Sequence, residues 1–172
     1  MSIGFIGSGN MATAIIKGII KSKTVEENEI NVFDVYAPAV EKLTAEYKIN
    51  KCESECDVVS SSDAVILAVK PNVLPQVLNK INTTLEESDT LLISIAAGKS
   101  TEFIRGALSH NNRIIRVMPN INATVSEAMC AYTANADATE ADKQTAEAIF
   151  SGVGKVMYLD ENYFPLFGIY VY

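Results

Sequence analysis

Apolar residues occur in short, nearly continuous runs, separated by stretches in which apolar positions return with helical spacing. The runs predict strands at residues 2–6, 30–34, 49–53, 63–69, 91–96, 113–118, 128–133 and 155–159. The run at 63–69 has no polar residue after its first position, which is typical of a parallel strand covered on both faces. Strands that alternate with helices over short loops predict an α/β fold with a doubly wound, mostly parallel sheet.

The helical stretches carry recognisable start signals. Pro38 is expected to open a helix that runs to Tyr47, because proline is favoured in the first turn. Thr139 and Asp142 have the spacing of a capping box at the start of a helix that runs through Phe150. The other helices are predicted from apolar spacing after residues 9, 71 and 99, the last of them reaching Leu108.

A glycine turn joins the first strand to the first helix. Residues 7–12 read G-x-G-x-x-A, and Ile15, Ile16, Ile19 and Ile20 then return at helical spacing. In such a turn Gly7 permits the bend, Gly9 lets a pyrophosphate reach the backbone, and the small Ala12 lets the helix pack against the strand. The helix start also offers N–H groups and a positive dipole end to phosphates. This context predicts a Rossmann-type dinucleotide-binding domain.

The second predicted strand ends at Asp34, where an acid in this fold hydrogen-bonds the 2′-hydroxyl of a ribose. Residues 33–40 contain no lysine or arginine to bind a 2′-phosphate. We therefore expect NAD(P)H as cofactor, with Asp34 favouring NADH.

Composition excludes several other classes. A formal charge of −7 and a pI near 4.7 argue against a nucleic-acid partner. No apolar run reaches the roughly 20 residues that cross a bilayer, and the N-terminus lacks the charged region of a signal peptide, so a cytoplasmic location without membrane attachment is expected. The three cysteines have no CxxC spacing and are predicted to be reduced thiols. His110 lies in a polar stretch without a second histidine, so no metal site is expected.

Four motifs lie at predicted strand ends, which meet along one edge of a doubly wound sheet. They are GFIGSGNMA at residues 4–12, AVKP at 68–71, SIAAG at 94–98 and RVMPN at 116–120. In this order and spacing the chain resembles pyrroline-5-carboxylate reductase from residue 2 to about residue 161. The resemblance implies hydride transfer from NAD(P)H to the C=N bond of a cyclic imine, giving L-proline in proline biosynthesis. It also implies a small-molecule substrate, and a homo-oligomeric state for full-length relatives.

The resemblance also implies roles for individual residues, and it identifies no catalytic acid. The pyrophosphate would lie against Ile6, Gly7, Ser8, Gly9, Asn10 and Met11. The nicotinamide and its ribose would contact Val69, Lys70, Pro71, Ala96 and Ala97, and the substrate side would be formed by Met118, Pro119, Asn120 and Glu161. Alternatively, Lys70 is a solvated strand end, Met118 an ordinary core residue, and Glu161 unrelated to the substrate.

Two departures from the family pattern bear on function. The family continues MPNTPA, whereas residues 118–123 read MPNINA, which alters the substrate side. Past Glu161 the family runs into SGSGPAY and a helical domain, but residues 161–172 form an apolar tail without that motif. We therefore expect a dinucleotide-binding domain at 1–160, followed by the start of a missing helical domain in a truncated reductase. The alternatives are a non-catalytic nucleotide-binding fragment and a β-hydroxyacid dehydrogenase fragment, which SIAAG and RVMPN disfavour.

Overall fold

The computed structural model describes residues 1–119 and 128–171. Within these residues eight strands form one sheet in the order β3-β2-β1-β4-β5-β6-β7-β8. The strands are Ile3–Ile6, Ile30–Phe33, Asn50–Lys51, Ala64–Leu67, Leu91–Ser94, Ile114–Met118, Ala128–Ala134 and Gly154–Tyr158, numbered β1 to β8. The helices are Asn10–Ser22, Ala37–Glu46, Glu55–Ser60, Leu74–Glu86, Thr101–Gly106, Glu140–Ser151 and Phe164–Val171, numbered α1 to α7.

The sheet is parallel from β3 to β6, β7 runs antiparallel to β6, and β8 runs parallel to β7. This confirms the predicted doubly wound, mostly parallel α/β fold. The chain leaves β1 toward β2 on one side and later returns to β4 on the other. Such a reversal of strand order opens a crevice at the carboxyl ends of the strands, where ligands of these sheets bind.

Apolar layers cover both faces of the sheet. One layer is built on Ile15 and Ile19 of α1, Leu43 of α2 and Phe150 of α6. The other layer is built from side chains of α3, α4 and α5 and includes Leu78 of α4, which is fully buried. Full burial of one such aliphatic side chain stabilises the fold by about 1.5–3 kcal/mol. The two packed layers therefore hold the strands, and with them the carboxyl edge of the sheet, in place.

Helix α3 and the end of α5 differ from the sequence-based prediction. Helix α3 was not predicted, because its six residues are too few to show an apolar period; its start is marked by Ser54, whose hydroxyl accepts a hydrogen bond from the Asp57 amide at 3.1 Å. The helix expected to reach Leu108 ends at Gly106. The capping box of α6 is present as predicted, with Thr139 and Asp142 bonded reciprocally.

The apolar tail begins with a 3₁₀ turn, Glu161–Tyr163, and continues as α7. Phe164 is fully buried, and the guanidinium carbon of Arg116 in β6 lies 4.7 Å from the centre of its ring. A Cβ built on Gly168 would lie 3.7 Å from the sulfur of Met118. The first part of the tail therefore packs on the chain's own sheet.

Candidate functional site

A cavity of about 400 Å³ lies at the carboxyl ends of β1, β4, β5 and β6. We call it the large cavity, because it is the larger of the two cavities beside the glycine turn. It is lined by Gly9, Asn10, Met11, Ala12, Ala68, Val69, Lys70, Pro71, Ile95, Ala96, Ala97, Arg116, Val117, Met118 and Pro119. Its volume lies within the range of small-molecule sites, roughly 300–1,000 Å³.

The glycine turn forms one wall of the large cavity. Gly7 has a φ of +105°, and a Cβ there would come within 2.6 Å of the carbonyl oxygen of Ala68. Its amide donates a hydrogen bond to the carbonyl oxygen of Phe33 at 2.8 Å, which ties the turn to β2. Gly9 is the N-cap of α1, and a Cβ there would meet nothing within 4 Å. The turn is therefore tightly packed at Gly7, whereas Gly9 leaves open space in which a ligand could approach the backbone.

A second cavity of about 270 Å³ lies between the ends of β1, β2 and β4 and the helices α3 and α4. We call it the small cavity. Its lining consists of Ile6, Gly7, Phe33, Asp34, Val35, Glu55, Val69, Val73, Gln76, Val77 and Lys80. Val69 belongs to both linings, and the glycine turn contributes Gly7 to the small cavity and Gly9 to the large one. The two cavities therefore lie on either side of the turn.

Three hydrogen bonds fix the carboxylate of Asp34. Its Oδ2 accepts from the amide of Ser8 at 2.7 Å and from the Ser8 hydroxyl at 2.9 Å. Its Oδ1 accepts from the amide of Tyr36 at 2.9 Å. Because all three donors belong to the turn and to the segment after β2, the carboxylate is held in one orientation at the edge of the small cavity.

The small cavity also contains an ion pair. Nζ of Lys80, on α4, lies 2.8 Å from Oε1 of Glu55, the first residue of α3. The side chain of Glu55 is 9% exposed, whereas that of Lys80 is 45% exposed. The buried carboxylate therefore sets the position of the ammonium group.

Arg116 is a residue of the large cavity that sequence reasoning missed. It is a buried residue in the middle of β6, and its Nη1 donates a hydrogen bond to Oε1 of Glu161 at 2.9 Å. Buried guanidinium groups need such a partner, because an unpaired buried charge is strongly destabilising. The signal in the sequence was a charged residue inside the otherwise apolar strand at 114–118.

The carboxylate of Glu161 joins three parts of the structure. It accepts hydrogen bonds from the amide of Thr101 at 2.9 Å, from the Thr101 hydroxyl at 2.6 Å and from Arg116. Partial burial opposes ionisation, but these hydrogen bonds outweigh it and hold the pKa of Glu161 below its ordinary value. Glu161 thus stays ionised and connects β6 and the start of α5 to the 3₁₀ turn before α7.

The structure brings most of the predicted site residues to one edge. Those in the large cavity are Gly9, Asn10, Met11, Val69, Lys70, Pro71, Ala96, Ala97, Met118 and Pro119. Ile6, Gly7 and Asp34 line the small cavity instead, and Ser8 contacts Asp34. Glu161 does not line the large cavity and reaches it through Arg116. Asn120 lies outside the described residues.

The remaining candidates for chemistry lie away from this edge. Nδ1 of His110 lies 3.1 Å from Oε1 of Glu86 on an exposed surface. Burial raises the pKa of the Cys130 thiol to about 12, which makes it a poor nucleophile. Over residues 1–119 and 128–171, no group of three or more His, Cys, Asp or Glu side chains is arranged to hold a metal ion. In the same part of the chain no helix is both long and apolar enough to span a membrane.

The fold and the site define a Rossmann-type domain with the glycine turn of dinucleotide-binding proteins. The chain belongs to the family described as "NADP oxidoreductase coenzyme F420-dependent", whose model matches residues 2–98. Over 160 residues it is 41% identical to a pyrroline-5-carboxylate reductase of Methanosarcina acetivorans. The aligned residues make up 93% of this chain and 59% of that protein. The resemblance found in the sequence is thereby confirmed for nearly the whole chain, and the chain spans about three-fifths of that relative's length.

Solved structures agree with this relationship. A pyrroline-5-carboxylate reductase from Coxiella burnetii superposes with a TM-score of 0.89 at 27% identity, covering 99% of this chain and 67% of that one. The Plasmodium falciparum pyrroline carboxylate reductase, solved with NADP bound, gives a TM-score of 0.83 at 26% identity and covers 95% of this chain and 59% of its own.

Proposed function

We propose that this chain is the cofactor-binding part of a pyrroline-5-carboxylate reductase. The observation that carries the proposal is the pair of cavities on either side of the glycine turn, in a chain 41% identical to such a reductase. The pyrophosphate would lie at Gly9 and the start of α1, where no side chain caps the helix. The nicotinamide would enter the large cavity and the adenosine the small one.

The chain's own residues would mainly position the reactants. Reduced nicotinamide, when bound, supplies the hydride for the imine carbon. Ala96 and Ala97 offer small side chains in the loop that follows β5, so they allow a flat ring to lie close to the backbone. Met118 and Pro119 would form the floor on the substrate side. Holding two reactants in contact geometry supplies several kcal/mol of the barrier reduction.

Glu161 would act on the substrate side together with Arg116. The hydrogen bonds from Thr101 and Arg116 keep Glu161 ionised, so its carboxylate holds the guanidinium group of Arg116 in place. Its carboxylate stands behind Arg116, so we assign it the positioning of that wall of the cavity and no proton transfer.

Asp34 would favour NADH over NADPH as the cofactor. Its carboxylate is fixed by Ser8 and Tyr36 at the edge of the small cavity, where it can accept a hydrogen bond from a ribose hydroxyl. Two like charges about 4 Å apart repel by about 1 kcal/mol in water and more where water is excluded, so a 2′-phosphate there is disfavoured. This preference would differ from the NADP named in the family's description and bound to the Plasmodium falciparum protein.

The wider organisation is also part of the proposal. Residues 1–160 would form the dinucleotide-binding domain, and 161–172 would begin the helical unit that carries SGSGPAY in the family. That unit would complete the substrate pocket and build the homo-oligomer, in the cytoplasm. A second candidate function for residues 1–172 taken alone is nucleotide binding without catalysis.

Two assays on the purified 172-residue chain separate these functions. Fluorescence titration measures the affinity for NADH and NADPH, and loss of NADH absorbance in the presence of pyrroline-5-carboxylate measures turnover. We expect saturable binding of NADH without turnover for these residues alone, because little of the substrate wall lies among them. Turnover at the rate of a full-length reductase would reject the non-catalytic candidate, and failure to bind either nucleotide would reject the proposed function.

A further inference from the structure

The small cavity carries an arrangement of charges that the proposed function does not explain. Two carboxylates, those of Asp34 and Glu55, line it. Lys80 is the basic side chain among the described residues of its lining. The formal charge of these three groups is therefore −1, which opposes a further anion in the cavity.

The ammonium group of Lys80 could bind a phosphate, but it is already paired with a carboxylate. It lies 2.8 Å from Oε1 of Glu55. Glu55 is nearly buried at the first turn of α3, where the helix dipole favours a negative charge. Moving Lys80 to another anion would leave the Glu55 carboxylate buried and unpaired, which is strongly unfavourable.

We infer that Glu55 is a specificity-determining residue for the cofactor: by retaining Lys80 it withholds the cavity's cation from a 2′-phosphate. Asp34 repels that phosphate, and Glu55 removes the group that could compensate for the repulsion. The inference rests on the proposed function, because it assumes that the adenosine end of a nicotinamide dinucleotide occupies the small cavity. Glu55 would be a second determinant of cofactor specificity, in addition to Asp34. It lies 25 residues from Lys80 along the chain and outside the segment that follows β2.

The test is a double-mutant cycle read by direct binding. Dissociation constants for NADH and NADPH are measured by fluorescence titration at one ionic strength on the 172-residue chain. In Glu55→Gln the ratio of the NADPH constant to the NADH constant is expected to fall at least tenfold, because Lys80 is released while the side-chain shape is kept. In Glu55→Gln with Lys80→Met the ratio is expected to return to within about threefold of the wild-type ratio.

Glu46→Gln is the matched control. It removes the same charge from another glutamate that is paired with a lysine, Lys17, at 3.6 Å, and neither residue lines the two cavities. Its ratio is expected to equal that of the wild type. An equal fall in Glu46→Gln would show an effect of net charge alone and would overturn the inference.

The remaining outcomes are also decisive. An unchanged ratio in a folded Glu55→Gln variant, with NADH still bound, overturns the inference and leaves the proposed function standing. Failure of the wild type to bind either nucleotide overturns both. If Glu55→Gln does not fold, the Lys80→Met variant decides. A ratio of the two dissociation constants within twofold of wild type supports the inference. A tenfold loss of affinity for NADPH alone would show that Lys80 already binds the phosphate and would overturn the inference.

Discussion

Substitution of Gly9 by valine is the sharpest perturbation of the glycine turn. A Cβ at Gly9 meets nothing within 4 Å, and φ is −68°, so valine can be accommodated without backbone strain. The same open space is where a pyrophosphate would approach the start of α1. The branched side chain would fill that space, and we expect Gly9→Val to weaken NADH binding at least tenfold, which is about 1.4 kcal/mol.

The effect on folding is expected to be smaller than the effect on binding. Gly9 is the N-cap of α1, and glycine is a better N-cap than valine by about 1 kcal/mol. A domain of this size loses roughly 2–4 °C in melting temperature for each 1 kcal/mol. The variant should therefore melt a few degrees below the wild type and remain folded at the temperature of the titration.

Gly106→Val provides the matched control. Gly106 is another glycine whose Cβ would meet nothing within 4 Å, and it lies in α5 outside both cavities. NADH affinity is measured by fluorescence titration and stability by thermal unfolding for both variants. Wild-type affinity in Gly9→Val, or equal losses in the two variants, would refute the assignment of the pyrophosphate to the turn.

Three further substitutions test other parts of the account. Gly7→Ala should destabilise the fold by about 2 kcal/mol or more in chemical denaturation, because φ is +105° and the new Cβ would press on Ala68; wild-type stability would contradict this. Asp34→Ser should shift affinity from NADH toward NADPH at equal ionic strength, and unchanged selectivity would refute the role of the carboxylate. Glu161→Gln should lower stability at pH 7. Because the pKa of Glu161 is depressed in the folded chain, its stabilising contribution is present above the ordinary value of 4.5 and is lost as pH falls through the lower folded pKa. Wild type and Glu161→Gln should thus converge in stability under acid, and a gap independent of pH would contradict the ionised pairing with Arg116.

Local signals in the sequence predicted most of the fold. The apolar runs mark strands because the sheet is covered on both faces, and the capping box of α6 marks its own helix start. The glycine turn could be predicted because its chemistry lies within residues 7–12 and depends on adjacent positions. Helix α3 could not be predicted, because six residues make less than two turns and the helix is stabilised by packing against α4 and β1.

Side-chain partners distant in sequence could not be predicted. The bond between Arg116 and Glu161 joins residues 45 positions apart, and its existence depends on where α7 packs. The pair of Lys80 and Glu55 depends on the packing of α3 against α4, and α3 itself was missed. For this reason the sequence predicted the glycine turn but not the ion pairs between Arg116 and Glu161 and between Lys80 and Glu55.

A calorimetric titration of the purified 172-residue chain with NADH measures whether this edge of the sheet binds a dinucleotide. We expect saturable binding of one NADH per chain, because the two cavities flank a single glycine turn and share Val69. Binding should be abolished or weakened at least tenfold in Gly9→Val, measured in the same buffer. Absence of a saturable heat with the folded wild-type chain, or one that Gly9→Val leaves unchanged, would contradict the claim that this edge of the sheet is a dinucleotide site.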